Sequence, residues 1–236
     1  MKKRIWELDA LRGMAIFVMI AVHLVYDLVE LFRVWELKDP RLFYFLQDWG
    51  GVIFLVLSGI CVTLGSAPVK RGLVVLGCGV LVSAVTAGMY LLDFADRGII
   101  IYFGVLHCLG VCMLLWPVFR KSPWWLLALL GAVMVAGGLY LDAHVRSSSA
   151  LLIPLGIPSY GFSSSDYFPL LPNLGYFLLG AALGRTAYRK KESLLPRVHT
   201  QNPALRLLCW CGRQSLWIYL LHQPILTGII GLWTLL

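Results

Sequence analysis

Residues 7–27 read Glu7-Leu8-Asp9-Ala10-Leu11-Arg12-Gly13-Met14-Ala15-Ile16-Phe17-Val18-Met19-Ile20-Ala21-Val22-His23-Leu24-Val25-Tyr26-Asp27, and this stretch decides the fold. A membrane-crossing helix needs about 20 mostly apolar residues, and the segment from roughly 9 to 30 supplies them. It does not read as a cleavable leader. Asp9, Arg12, His23, Asp27 and Glu30 lie within it, and no small-residue cleavage site follows. Six further stretches match it in length and apolarity, at roughly 46–66, 72–92, 99–119, 124–142, 169–186 and 209–234. Gly/Pro breaks and charges separate them, as in Ser66-Ala67-Pro68-Val69-Lys70-Arg71-Gly72 and Arg120-Lys121-Ser122-Pro123.

The composition agrees. Of 236 residues, 59% are hydrophobic and 14% charged, with a mean hydropathy of +0.80. A soluble domain averages about 45–50% apolar and about 25% charged. The surplus has to face lipid, which excludes a cytosolic enzyme, a nucleic-acid-binding module and a disordered chain. The expected fold class is all-α, a polytopic membrane bundle of about seven transmembrane helices, forming a single domain over residues 1–236. No internal repeat is visible.

The net charge of +8, from 20 basic and 12 acidic side chains, is a topology signal. With the N-terminus in the cytoplasm, the inner set holds Lys2, Lys3, Arg4, Arg12, Lys70, Arg71, Arg120, Lys121 and Arg185, then Arg189, Lys190, Lys191, Arg197, Arg206 and Arg213. Arg33, Lys38, Arg41, Arg97 and Arg146 fall outside, giving 15 against 5, the asymmetry of the positive-inside rule. Nucleic acid is therefore not an expected partner; membrane lipid is. Two connections are long: an outer one, 143–168, and a basic inner one, 187–206. The six cysteines fall in spans or at their inner ends. Cys108 and Cys112, one turn apart beside His107, read as small packing residues, and no metal is expected.

Ionisable groups inside a bilayer are costly and mark function by default. At 1.5 Å per residue, His23 lies about 16 Å beyond Arg12, His222 about 13 Å beyond Arg213, and His107 about 12 Å in from Ile99. Three histidines near the middle of a core about 30 Å thick suggest a shared polar cavity. Asp27, four residues after His23 on the same face, is a candidate orienter, which would suit His23 as a base or nucleophile. A His–Asp pair that merely locks helix packing is the alternative. Arg12, Arg185 and Arg213 mark an inner mouth able to hold phosphates, although interfacial snorkelling explains them as well. Gly50-Gly51, Ser58-Gly59, Gly180 and Gly184 read as helix-packing positions.

Five segments, in order, resemble one family. They are Glu7 to Ile16 with Met19, His23 and Asp27; Phe54-Leu55-Val56-Leu57-Ser58-Gly59; and Phe103-Gly104-Val105-Leu106-His107-Cys108-Leu109-Gly110. Asp166-Tyr167-Phe168-Pro169-Leu170-Leu171-Pro172 and Ser215 to Pro224 complete the set. The chain resembles the short bacterial branch of the heparan-α-glucosaminide N-acetyltransferase catalytic-domain family, within the transmembrane acyltransferases. The resemblance implies transfer of acetyl from cytoplasmic acetyl-CoA to a hydroxyl or amine of a sugar or glycan at the outer face of a bacterial inner membrane. It also suggests a homodimer. In this frame His23 is base or transient acyl carrier with Asp27 as orienter, and Arg12, Arg185 and Arg213 receive the CoA phosphates. His107 and His222 line the acyl path, and the outer loop with Asp166 and Tyr167 meets the acceptor. The loop at about 31–45, where the eukaryotic family places its proposed catalytic histidine, has none here, and Asn173 stands where a Trp is expected in the bacterial branch. A proton-coupled transporter is the main rival reading, disfavoured by the lack of an inverted repeat. A non-catalytic seven-helix scaffold is the third.

Overall fold

The computed structural model describes residues 4–196 and 202–235, so Lys2, Lys3 and Arg197 of the inner basic set lie outside the described residues. Eight α-helices follow in order: α1 Trp6–Tyr26, α2 Arg41–Leu64, α3 Pro68–Leu91, α4 Val105–Phe119, α5 Trp124–His144, α6 Leu170–Thr186, α7 Pro203–Arg213 and α8 Ser215–Thr234. No strand forms among the described residues, only isolated bridges. α1 continues through one wider turn, Asp27–Leu31, in which the N–H of Phe32 reaches back five residues to the carbonyl of Asp27. Among the described residues five helices are long and apolar enough to cross a membrane: α1 with its extension, α2, α3, α5 and α8. The protein is a helical membrane protein, as its composition demands.

The helix ends follow from local chemistry. Pro68 and Pro203 occupy first turns, where a missing N–H costs nothing. The Asn202 side chain accepts from the N–H of Ala204 at 2.9 Å. Two sequence boundaries move. The last span begins at Ser215 and not near 209, because Gln214 ends α7 and starts α8. The 99–119 span becomes helical only at Val105.

The chain divides into two compact units, Leu55–Arg189 and the combination of Met1–Phe54 with Lys190–Leu236. In the unit of 55–189, α3 packs on α4, α5 on α6, and α4 on α6. With 15 and 17 residues, α4 and α6 are only about 22 and 26 Å long, less than a hydrocarbon core of about 30 Å. They form the interior of this unit, with Cys108, Cys112, Phe177, Leu178 and Ala181 fully buried. The large exposed apolar side chains, such as Leu81 on α3 and Val133 on α5, are positioned for lipid. In the other unit α1 packs on α7 and α8, and α8 also meets the turn after α1.

Glycines let the backbones touch. A Cβ at Gly59 would lie 1.9 Å from the Phe177 carbonyl oxygen, and one at Gly212 would lie 1.8 Å from that of Asp9. Gly180 and Gly184 abut Val56 and Ile60 in the same way, whereas Gly50 has open space around it and is no packing position. Gly59→Ala and Gly212→Ala should each destabilise by at least about 1–3 kcal/mol. Gly77→Ala and Gly228→Ala, where nothing lies within 4 Å, should not. Thermal unfolding of the four variants in detergent separates the two classes.

Candidate active site

The unit built from α1, α7 and α8 carries a polar cluster on apolar helices. His23 of α1 and His222 of α8 meet edge to face, with ring centroids 4.8 Å apart. Asp27, fully buried, does not orient His23. Its Oδ1 accepts a 2.7 Å hydrogen bond from the amide nitrogen of Gln223. Spacing by four residues puts His23 and Asp27 on one face, but the donor within reach of Asp27 is on α8. The ring Nδ1 of His222 lies against the carbonyl of Tyr219, one turn back on α8. Three buried atoms of this cluster have no hydrogen-bond partner: Asp27 Oδ2, Gln223 Oε1 and His222 Nε2. The local backbone is irregular here as well. Asp27 opens the wide turn, and Pro224 inside α8 leaves one carbonyl of the preceding turn without its helical donor.

At the other end of α1 the charges are basic. Asp9 forms an ion pair with Arg4 at 3.8 Å, and the charges of Arg12 and Arg213 also act on its carboxylate. The contact of Gly212 with the backbone of Asp9 holds α7 against α1 at this point, which brings Arg213 to the start of α1. Glu7, buried beside them, accepts from Ser193 Oγ at 2.8 Å and from the N–H of Leu194 at 2.7 Å. The inner connection is thereby tied to the first turn of α1.

The remaining expected site residues lie in the unit of 55–189 and hold its backbone. His107 sits in the first turn of α4. Its Nδ1 accepts from the N–H of Gly104 at 3.2 Å, and its Nε2 lies 3.3 Å from Ser83 Oγ. The Ser83 hydroxyl gives its own proton to the carbonyl of Ile101, so Nε2 carries the ring hydrogen and both nitrogens are used. Asp166 Oδ2 accepts from the N–H of Val105 at 3.0 Å, capping the same helix start. The Tyr167 hydroxyl donates to the carbonyl of Ile153 at 2.7 Å. Burial pushes its phenol up to about 12, with Asp142 adding to the shift and Arg146 opposing it, so it remains a donor at neutral pH. Arg185 donates to the carbonyls of Ser122 and Arg120 and lies over the Trp116 ring at 5.6 Å. Its guanidinium closes the α4–α5 turn. An open cleft of about 260 Å³ lies beside Tyr167, lined by Asp142, Arg146, Tyr160 and Phe162 among others.

Sequence reasoning missed Gln223 as the partner of Asp27, although an amide next to His222 in an apolar span was a usable signal. Ser83 and Glu7 gave none. Cys108 and Cys112 are buried with their sulfurs 3.9 Å apart. Among the described residues no group of three or more His, Cys, Asp or Glu side chains is placed to hold a metal ion.

No curated protein and no solved structure matches the chain. The family model described as Heparan-alpha-glucosaminide N-acetyltransferase, catalytic, matches residues 4–224. That range contains the arginine end, the His23–His222 pair and the α4 start alike. With nearly its whole length matched, this membrane protein belongs to the heparan-alpha-glucosaminide N-acetyltransferase catalytic family and has the acyltransferase-type activity the family suggests.

Proposed function

We propose that the protein moves an acetyl group from cytoplasmic acetyl-CoA to an amine or hydroxyl of a sugar or glycan on the outer face of a bacterial inner membrane. The observation that carries this reading is the buried His23–His222 pair, with Asp27 and Gln223 behind it, in a membrane chain matched to the family over residues 4–224. The basic excess at the inner ends of the helices supports an N-terminus in the cytoplasm. Because the family match crosses both compact units, both are taken as one catalytic domain.

Arg12 and Arg213 are the residues assigned to the phosphates of the CoA moiety. Both lie where Asp9 balances only part of the positive charge, and a guanidinium is suited to bidentate phosphate contact. Arg185 is left out of this role because its donors already hold the turn at 120–122. Acetyl-CoA brings a thioester. The chain's own residues anchor its anionic end, keep water from the acyl group and pass on a proton at the histidine pair. The cleft beside Tyr167, with exposed Tyr160, offers an aromatic and charged surface to an incoming sugar.

The first test is thermal unfolding of the detergent-purified protein with coenzyme A or acetyl-CoA, with free-thiol release followed in the same samples. A ligand at a hundredfold excess over its Kd stabilises by about 2.7 kcal/mol, so a clear upward shift is expected with either nucleotide. Arg12→Gln and Arg213→Gln should each weaken the shift, by roughly tenfold or more in Kd, because one charged hydrogen bond contributes about 1.5–3 kcal/mol. No shift and no thiol at millimolar ligand would overturn the reading in favour of proton-coupled transport. His107→Ala, which strips partners from Gly104 and Ser83, should lower the melting temperature at a cost of about 1–3 kcal/mol.

A further inference from the structure

The hydrogen bonds around His222 fix which of its nitrogens can do chemistry. The Tyr219 carbonyl against Nδ1 can only accept, so Nδ1 carries the ring hydrogen and Nε2 is a bare lone pair. That lone pair is buried and has no partner. His107 shows the opposite tautomer with both nitrogens used. The two other orphan atoms of the cluster, Asp27 Oδ2 and Gln223 Oε1, are also acceptors, because the amide hydrogens of Gln223 face Asp27 Oδ1. Leaving such groups unpaired in an apolar surrounding is unfavourable. A group that satisfies them must donate, as the N–H or O–H of an acyl acceptor does.

Resting on the acyltransferase reading, we propose that His222 Nε2 is the general base that takes the acceptor's proton, with the free oxygens of Asp27 and Gln223 receiving its neighbouring hydrogens. The sequence had pointed to His23 for this role. Among the described residues no hydrogen bond orients the His23 ring, which instead lies edge-on against His222 at 4.8 Å. Asp27 is the other candidate, but its carboxylate is already held through Oδ1 by the Gln223 amide, whereas the Nε2 lone pair of His222 is the ring's one free basic site. In the transfer step the acceptor's nitrogen or oxygen forms a bond to the acetyl carbonyl carbon, and the carbon–sulfur bond breaks with its electron pair going to sulfur. The acceptor's proton moves to His222 Nε2, and the imidazolium then returns it to the departing CoA thiolate. Tyr219 acts through its carbonyl, holding the ring in the reactive tautomer.

His222→Asn tests the assignment, since the Asn amide can still donate to the Tyr219 carbonyl from about the position of Nδ1 while nothing replaces Nε2. With acetyl-CoA and glucosamine as probes, His222→Asn should lose about 10²–10⁴-fold in thiol release while keeping its melting temperature and its coenzyme A shift. His23→Asn, which removes the edge-on neighbour of His222 but leaves Nε2 in place, should lose less turnover than His222→Asn. ¹⁵N NMR of histidine-labelled protein in bilayers should show a resonance pair of the Nδ1–H tautomer that is lost in His222→Asn and in His222→Gln, separate from that of His144, whose Nδ1 lies against the Tyr140 carbonyl. Turnover by His222→Asn within tenfold of wild type, an equal loss in His23→Asn, or an Nε2–H tautomer at His222 would each overturn the proposal. A wild-type protein that binds coenzyme A but has its turnover abolished only by His23→Asn would overturn it while sparing the acyltransferase reading. Absence of both binding and turnover in the wild type would remove that reading and the proposal together.

Discussion

A buried carboxylate in a membrane helix has to find a donor, and for Asp27 that donor is the amide of Gln223 at 2.7 Å. Lipid offers no replacement for a lost hydrogen bond, so this contact ties the end of α1 to the middle of α8. Its consequences spread from there. Because Gln223 faces Asp27, its neighbour His222 is carried to the same pair of helices and meets His23, one turn before Asp27 on α1. At the opposite end of α1, Gly212 and Gly13 bring α7 into backbone contact with it. α1 is thus clamped at both ends, and the polar cluster and the arginine end become fixed points on one rod.

The histidines illustrate how an apolar surrounding sets satisfied groups apart from unsatisfied ones. His107 has two nitrogens and two partners, and it does what a capping side chain does: it supplies an acceptor to the N–H of Gly104 ahead of the α4 helix. Asp166 and Tyr167 join it in holding chain segments to one another. His222 has one nitrogen satisfied and one left over at full burial cost. A fold under selection for stability alone would gain by filling that vacancy with an apolar side chain or a donor. Retaining an unpaired base beside two unpaired oxygens is understandable when a substrate group completes the set.

Much of this architecture was legible in the sequence because lipid imposes a simple demand, and apolar stretches such as 72–92 and 124–142 matched α3 and α5 to within a few residues. The last span was started too early, near 209, because Cys209-Trp210-Cys211-Gly212 reads as the beginning of the apolar stretch. The helix holding these four is separate and amphipathic, with Arg206, Leu207, Trp210 and Arg213 exposed and Cys209, Cys211 and Gly212 buried. The site was half legible. An ionisable residue in a span flags itself, so His23, Asp27 and His222 stood out as candidates, and the structure brings them into one cluster. Their bonding was hidden, because the partner of Asp27 lies 196 positions away and i,i+4 spacing reports only proximity along one helix. Arg185 failed for a related reason: its charge suggested phosphate, whereas the carbonyls left free at the end of α4 claim its donors first.

Under the proposed acyl transfer, the arrangement along α1 also constrains how donor and acceptor would meet. Arg12 and His23 lie about 16 Å apart along the helix axis at 1.5 Å per residue. A phosphate anchored at the arginine end therefore leaves its thioester to reach the histidines on an extended arm, while the charged part stays at the helix end. No cation needs to enter the apolar section, where one would cost several kcal/mol. Apart from the Asp27 carboxylate, which Gln223 already holds, the groups brought together there are then neutral ones: a thioester, an imidazole with one lone pair, and an amine or hydroxyl. Proton transfer to a neutral His222 creates charge only as the thiolate forms, and returning the proton to sulfur removes it. Keeping the phosphates at the arginine end and the proton transfer among the polar groups at the other would make the proposed acyl transfer feasible at this depth.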